Sequence, residues 1–455
     1  MKPYKDILFL AIPIALHSVL FASLGFIDTF MLSALGGDTV AAAGIGSRIL
    51  WFVSNIMFGI AGATTIFCAQ HWGAKDKKSL SVSLHIGMLH AIVASVVLVI
   101  CVLVFKEQIA SLMTNDKTIA ALAGNYIQIS ILCVLVTSLS VIWGAGLRAI
   151  QKPKLILYLF VFELLLNVSL NYLLIFGHFG FPAMGLEGAA LGTLIARASS
   201  TLILFFYVHA FERVLSLSKA SFAAAQAKAK NIAFVKIALP IIGGEIIWSG
   251  GITAYHTIYG NIDSTALAAM SILAPVEILL ASFSWGCAAA VGVLVGEKIG
   301  ANQYDELSVY IRAGLISSVA VGGSIVGILW VSQDLVVGLF DGVEPEVLDA
   351  VYLLLPFILA SIFLRSVTMT AMSGVLKSGG DTKFAMYLDM VAQWFGAIPL
   401  MLILAFWFEL PVQYVYAAVL LEETLKLIPV ALRIRSGKWI KKLAETEEAM
   451  EPMPA

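Results

Sequence analysis

Long apolar segments recur along the whole chain and constrain its fold more than any other feature. About 20 consecutive apolar residues are enough for a helix to cross the hydrocarbon core of a bilayer. By that rule the sequence predicts twelve membrane-spanning helices, which we number as spans 1 to 12. They cover residues 7–33, 43–70, 81–105, 118–143, 154–177, 186–210, 233–258, 266–295, 308–333, 348–373, 383–408 and 411–433. The predicted fold class is therefore an all-α, polytopic membrane protein.

Composition supports this class and argues against several others. Hydrophobic residues make up 60% of the 455 residues and charged residues only 13%, whereas soluble domains carry about 25% charged residues. A net charge of −1 without a basic stripe argues against a nucleic-acid partner. The four cysteines and seven histidines show neither a disulfide framework nor a metal-ligand spacing. We therefore expect no metal site and no cofactor.

Basic residues predict how the spans are oriented. The segments after even-numbered spans are rich in lysine and arginine, as in 73–78 and 213–236, whereas the opposite loops hold few. Cytoplasmic loops carry such an excess, so both termini are predicted to be cytoplasmic. The N-terminal segment is not followed by a small-residue cleavage site and is interpreted as the first span, not as a signal peptide.

The two halves of the chain repeat each other. Ala11–Ile14 matches Ala238–Ile241 at an offset of 227 positions, and the offset stays between 227 and 229 over four segments. Six spans per half place both halves the same way up, so the sequence predicts two lobes related by a pseudo-two-fold axis along the membrane normal. The predicted regions are an N-lobe (1–211), a cytoplasmic linker (212–232), a C-lobe (233–440) and a disordered cytoplasmic tail (441–455).

One carboxylate inside the first span is the starting point for function. Asp28 lies inside span 1, roughly two-thirds of the way along the stretch from Pro13 to Gly36. A charge at that depth costs on the order of a few kcal/mol, so it tends to face a cavity, take a partner or hold a proton. On span 5, Glu163, Asn167 and Asn171 are spaced i, i+4, i+8 and share one helical stripe. We expect this stripe to face inward towards Asp28; the alternative is that the asparagines only join neighbouring helices.

The second half has its own polar groups at membrane depth. The candidates for a second-lobe or substrate site are Glu245, Trp248, Tyr255, Arg365 and Asp389. Arg365 is always charged, so a carboxylate is expected to pair with it, and Glu245 and Asp389 are the candidate partners. The charged residues of span 12, interpreted as local structural pairs, are Glu422, Glu423 and Lys426.

Four short motifs are specific when they are taken together. They are Pro13…Asp28-Thr29-Phe30…Gly36 on span 1, Gly146-Leu147-Arg148 with Lys154 after span 4, Asn167-x-x-x-Asn171 on span 5, and residues 374–382 after span 10. With these motifs the chain resembles the multidrug and toxic compound extrusion (MATE) transporters over nearly its whole length. The resemblance implies cation-coupled antiport of organic, often cationic, compounds by two six-helix lobes. It also implies that Asp28, Asn167 and Asn171 form a cation- or proton-binding site.

Within that family, span 5 is more similar to the NorM branch than to the DinF branch. Asn171-Tyr172 stands where the DinF branch usually has Asp-Pro. The chain departs from the NorM branch in its second lobe, because that branch's span-7 glutamate aligns with Trp248 and its span-10 aspartate with Ser366. Coupling through Asp28 is therefore the working hypothesis.

The coupling ion and partners follow from the same residues. Na⁺ needs several oxygen ligands, and Glu163 is the nearest further carboxylate on the asparagine stripe, so H⁺ is favoured over Na⁺. We expect small organic cations or amphipathic drugs as substrates. We also expect the protein to be a monomer in the inner membrane of a bacterium.

Three alternatives stay open on sequence grounds. A lipid-linked precursor flippase of the same broad fold should have a more basic central cavity, and only Arg197 and Arg365 qualify. A major facilitator transporter also has two six-helix halves, but the loop motif after span 2 lacks its later Gly-Arg pattern. An intramembrane enzyme is disfavoured, because the sequence has no HExxH, paired-aspartate, Ser/His or Walker motif.

Overall fold

The computed structural model describes residues 1–262, 264–338 and 344–443. Within these ranges the chain is helical and has no β-strand, which confirms the predicted fold class. The helices α1 to α15 are Lys2–Ser33, Gly37–Gly73, Lys77–Met113, Lys117–Ser130, Cys133–Ala149, Pro153–Phe176, Gly185–Phe211, Lys219–Ala225, Lys228–Ile262, Ser264–Gly300, Tyr304–Val337, Pro345–Met369, Thr382–Met390, Ile398–Leu402 and Val412–Arg435. The π-helical segments that continue α12, α13 and α14 are Thr370–Lys377, Val391–Ala397 and Ile403–Trp407.

Most of these helices have the length and composition of membrane spans. Within the described ranges, ten helical stretches are long and apolar enough to cross a membrane, one of which, Thr382–Trp407, joins α13 and α14 with their π-helical segments. Helices α4 and α5, bent by 44° at their junction, make an eleventh. The predicted span 4 is therefore a broken helix. The predicted span 12 corresponds to α15, whose 24 residues include three buried charges: Glu422, Glu423 and Lys426.

Helix α3 extends beyond its predicted ends, and at its N-terminus a capping residue, not hydropathy, sets where it begins. Span 3 was expected over residues 81–105, and α3 runs over Lys77–Met113. Asp76 precedes it, and its carboxylate accepts hydrogen bonds from the backbone N–H groups of Lys78 and Ser79. Such a cap satisfies donors that the first helical turn leaves unpaired, so the helix starts among polar residues.

The described chain divides into two compact units. The first unit comprises residues 20–242, and the second comprises residues 1–19 together with 243–443. Both divisions fall inside long helices, α1 and α9, so each of these helices contributes to both units. The lobe and linker boundaries proposed from the loops stay predictions.

In the first unit, the segment that joins α7 to α9 packs against α3 and α5. Leu215 is buried, and its carbonyl accepts a hydrogen bond from the Trp143 indole at 3.2 Å. The backbone N–H of Ser218 donates to Nε2 of His85 at 3.1 Å. Side chains of the bundle therefore hold this segment at two points.

In the second unit, the chain after α15 folds back over the loop between α12 and α13. We call residues 437–443 the C-terminal strap. Its Trp439 is only 1% exposed, and the backbone N–H of Lys441 donates to the Gly379 carbonyl at 2.8 Å. Residues 441–443, which were expected in a disordered tail, belong to this strap, whereas residues 444–455 lie outside the described part of the chain.

Asp381 joins this loop to two basic residues. Its carboxylate accepts hydrogen bonds from Nε of Arg433 at 2.7 Å and from Nζ of Lys441 at 2.9 Å. Burial favours the neutral acid, but these bonds favour the carboxylate more strongly, so the pKa of Asp381 lies below its usual value. The strap is therefore fixed by charge as well as by packing.

A substitution at Gly379 tests how tightly the strap packs. A Cβ atom at this position would overlap the ring of Trp439. We expect Gly379→Ala to lower the free energy of unfolding by about 1–3 kcal/mol, since overpacking forces neighbours to move. Thermal unfolding of the purified protein measures the effect. Gly323→Ala is the matched control, because a Cβ there meets no atom within 4 Å, and an unchanged midpoint for both variants would contradict the prediction.

Candidate functional site

The first unit brings the predicted residues of α1 and α6 together. Nδ2 of Asn171 donates to Oδ1 of Asp28 at 2.6 Å and to Oδ1 of Asn167 at 3.2 Å. Nδ2 of Asn167 in turn donates to Oγ1 of Thr193 on α7 at 3.0 Å. Both asparagines are buried, so their stripe on α6 faces the interior of the unit. Asp28 is thus the charged end of a hydrogen-bond chain across three helices.

The third member of the stripe, Glu163, has a different partner. Its carboxylate accepts a hydrogen bond from Nε of Arg197 on α7 at 3.0 Å. Arg197 also donates through Nη1 to Oγ1 of Thr137 at 3.2 Å and interacts electrostatically with Asp28. Arg197 therefore neutralises Glu163 directly and adds positive potential near Asp28.

One atom of this chain of hydrogen bonds is unsatisfied. Within the described residues, Oδ1 of Asn171 has no hydrogen-bond partner although the side chain is 0% exposed. A buried polar atom without a partner costs about 1–3 kcal/mol. Together with the carboxylate of Asp28, the side-chain oxygens of Asn167, Asn171 and Thr193 could surround one proton or one monovalent cation.

Sequence reasoning did not find the two threonines. Thr193 and Thr137 complete the hydrogen bonds of Asn167 and Arg197. Threonine is common in spanning helices as a local hydrogen-bonding residue, and neither threonine stands at a spacing that connects it with Asp28 in the sequence. The contact depends on how α5 and α7 pack, which the helical period of a single segment does not show.

A substitution at Gly192 can disturb this arrangement without replacing any of its polar residues. A Cβ atom at Gly192 would lie 2.6 Å from Oδ1 of Asn171. We expect Gly192→Ala to displace the Asn171 amide from Asp28 and to slow ion-driven transport by about 10-fold, as expected for the loss of roughly one charge-assisted hydrogen bond. Efflux from vesicles measures it. Gly124→Ala is the control, since a Cβ at that buried glycine meets nothing within 4 Å; equal rates for both variants would contradict the prediction.

In the second unit, the expected partners of Arg365 are wrong. Nη1 of Arg365 lies 2.7 Å from Oε1 of Glu277, and Nε lies 3.6 Å from Oε1 of Glu423. Glu245 and Asp389 each face a lysine instead. The reason is packing: α12 contacts α10 and α15 extensively, and these helices carry Glu277 and Glu423.

The other second-unit candidates are also engaged. Glu245 lies 3.7 Å from Nζ of Lys377, and the carbonyl of Trp248 accepts a hydrogen bond from Gln393 at 3.4 Å. The Tyr255 hydroxyl donates to Glu422 on α15. These candidates are therefore spread over several separate contacts.

The charged residues of α15 do more than form a local pair. Nζ of Lys426 lies 2.6 Å from Glu422, which has the expected i, i+4 spacing. It also lies 3.1 Å from Asp389 on α13. The predicted i, i+4 and i, i+3 pairs are therefore present, and Asp389 extends them to a second helix. Three charges inside an otherwise apolar span were the signal that pointed to this wider network.

Comparison with known proteins gives consistent matches. The family model described as MatE matches residues 13–173 and 240–403. The chain is similar to the probable multidrug resistance protein NorM of Thermotoga maritima, at 23% identity over 99% of this chain and 96% of that protein. It is also similar to the uncharacterized transporter YisQ of Bacillus subtilis, at 23% identity over 94% of each.

Solved structures share the fold. A crystal structure described as MATE in complex with MaL6 superimposes with a TM-score of 0.86, at 16% identity over 98% of this chain and 97% of that one. The eukaryotic MATE transporter AtDTX14 gives a TM-score of 0.85, at 17% identity over 99% of both chains. At such low identity these likenesses establish the fold alone.

Proposed function

Because this chain belongs to the MATE family of transporters, we propose that it is a cation-coupled antiporter that exports organic, often cationic, compounds. Family membership makes it a multi-pass membrane transporter and not an enzyme. The observation that carries the proposal is the contact between Asp28 and Asn171. A half-buried carboxylate that accepts a hydrogen bond from a buried amide is suited to exchanging one positive charge. The names of the relatives, which include probable multidrug resistance proteins, support drug-like substrates.

The proposed mechanism is alternating access. Ion and substrate couple only if each binds the outward- and inward-facing states with different affinity. In the ionised form, Asp28 attracts the Asn171 amide and Arg197; when it binds a proton or cation it loses much of that attraction. One charge that moves down a membrane potential of 100 mV contributes about 2.3 kcal/mol. That free energy can drive release of a substrate on the outside.

We propose H⁺ rather than Na⁺ as the coupling ion. Asp28 brings one carboxylate to the site, since Glu163 pairs with Arg197. A proton needs only that carboxylate, whereas Na⁺ would also need the amide and hydroxyl oxygens of the neighbouring side chains. No cofactor beyond the ion enters the mechanism.

The experiment that tests this function is uptake of ethidium or norfloxacin by everted vesicles that contain the protein, because an exporter carries its substrate into an inside-out vesicle. The vesicles are energised once with a pH gradient and once with a Na⁺ gradient at equal membrane potential. Transport driven by the pH gradient alone would support the proposal. Transport driven only by the Na⁺ gradient would show that Na⁺ and not H⁺ is the coupling ion, and would leave the antiport mechanism unchanged. Failure to export any organic cation under either gradient would contradict the substrate class and favour a lipid-linked precursor.

Two further assignments belong to this proposal. Both termini are placed in the cytoplasm on the basis of the basic loops. The protein is further proposed to be a monomer in the inner membrane of a bacterium. The residues proposed to contact substrate in the second lobe are Glu245, Trp248, Tyr255, Arg365 and Asp389. Glu245→Gln is the direct test of substrate contact, and a changed KM for efflux with an unchanged maximal rate would support it.

A further inference from the structure

The second unit contains a network of buried and half-buried charges that ion coupling at Asp28 does not use. Its members come from α10, α12, α13 and α15 and are Glu277, Arg365, Asp389, Glu422, Glu423 and Lys426. Four carboxylates face two cations, so each cation is shared. In an isolated ion pair one positive charge faces one negative charge. Such pairing does not account for a network with twice as many carboxylates as cations.

Lys426 is the centre of the network. Its Nζ lies 2.6 Å from Glu422, 3.1 Å from Asp389 and 4.0 Å from Glu423. The side chain is almost fully buried, with 4% of the residue exposed. An ammonium group is a compact point charge, and carboxylates from two helices surround it as they would surround a small monovalent cation.

Hydroxyl groups donate hydrogen bonds to two of these carboxylates, at the oxygen that does not face Lys426. Tyr255 donates a hydrogen bond to Oε2 of Glu422, and Thr368 donates to Oε2 of Glu423. In both carboxylates Oε1 is the oxygen that faces Lys426. Outer partners of this kind orient the ligands of bound cations, so the oxygens around Nζ are positioned by α9 and α12 as well as by α15.

The charge balance favours a cation at this position. Without Lys426 the remaining members would carry four negative charges against the single positive charge of Arg365. Buried charges are tolerated only when they are paired.

We propose that the ammonium group of Lys426 is a built-in cation that permanently fills a monovalent-cation site, so that the second unit exchanges no metal ion. Removal of the lysine then uncovers a site that Na⁺ can occupy. The inference concerns the second unit alone and stands independently of the role proposed for Asp28.

Thermal unfolding of the purified full-length protein tests the proposal. All variants carry Asp28→Asn, which removes any Na⁺ effect from the first unit, and Na⁺ is compared with choline at equal ionic strength. We expect Na⁺ to raise the unfolding midpoint of the Lys426→Met variant by about 5 °C in a saturable manner. The Asp28→Asn protein with Lys426 intact should show no Na⁺-dependent rise of its unfolding midpoint.

Lys377→Met is the matched control, because Lys377 faces the single carboxylate of Glu245 at 3.7 Å. No Na⁺ effect in the Lys426→Met variant, or an equal effect in the control, would overturn the proposal. If the Lys426→Met variant does not fold, the test is whether the second unit of the Asp28→Asn protein, with Lys426 intact, binds radioactive Na⁺. Binding that Glu422→Gln removes would overturn the proposal, and the absence of such binding would support it.

Discussion

Replacing Asp28 by asparagine is expected to reduce ion-driven efflux by about 100-fold, the upper range of a typical coupling free energy. The amide keeps the size of the side chain and still contacts Asn171, but it can neither ionise nor take up a proton. The two states of the transport cycle then no longer differ in their affinity for the ion. Uptake of ethidium by everted vesicles, driven by a pH gradient and separately by a Na⁺ gradient, measures the loss.

Asp38→Asn is the matched control for this change. Asp38 is exposed at the start of α2, so its replacement alters the same charge without touching the buried site. Binding of the substrate to the purified Asp28→Asn protein should persist, because the change removes coupling and not the substrate site. Full ion-driven efflux by the Asp28→Asn variant would refute coupling at this residue and direct attention to Glu245.

Replacing Arg365 by methionine is expected to lower the free energy of unfolding by about 3–5 kcal/mol. The guanidinium lies 2.7 Å from Glu277 and 3.6 Å from Glu423, and methionine would leave the half-buried Glu277 and the buried Glu423 without this partner. Desolvated like charges then repel each other in a region of low dielectric. Thermal or denaturant unfolding in detergent gives the size of the effect.

Two companion variants show whether charge is the cause. Adding Glu277→Gln to Arg365→Met removes one of the stranded charges and should recover a substantial part of the loss. Lys298→Met breaks a pair with the exposed Glu306 and should change stability little, because exposed pairs contribute weakly. If the double variant is no more stable than Arg365→Met, lost packing and not charge explains the effect.

Much of the first-unit site was accessible from the sequence because its signals are local. The i, i+4 spacing of Asn167 and Asn171 defines one face of α6, and an apolar helix can hold a charge such as Asp28 only with a partner. Both arguments need one helix at a time. Thr193 was not found, since its link to Asn167 depends on the packing of α7 against α6.

The second unit shows the limit of such reasoning. Arg365 required a carboxylate, and the sequence offered several at membrane depth. Helix packing selected Glu277 and Glu423. It also brought Asp389 to Lys426, which turned an apparent i, i+4 pair into a network. Spacing along one helix predicts neighbours on that helix only.

By itself, the sequence determined the helical class, the internal repeat and the inward-facing stripe of α6, because hydropathy and the helical period act over a few turns of one segment. The tertiary structure alone decided the partners of Arg365, the contact of Asp389 with Lys426 and the packing of Trp439 on Gly379. These contacts join residues far apart in the chain, and a buried charge or ring pairs with whatever side chain the neighbouring helix or loop places beside it.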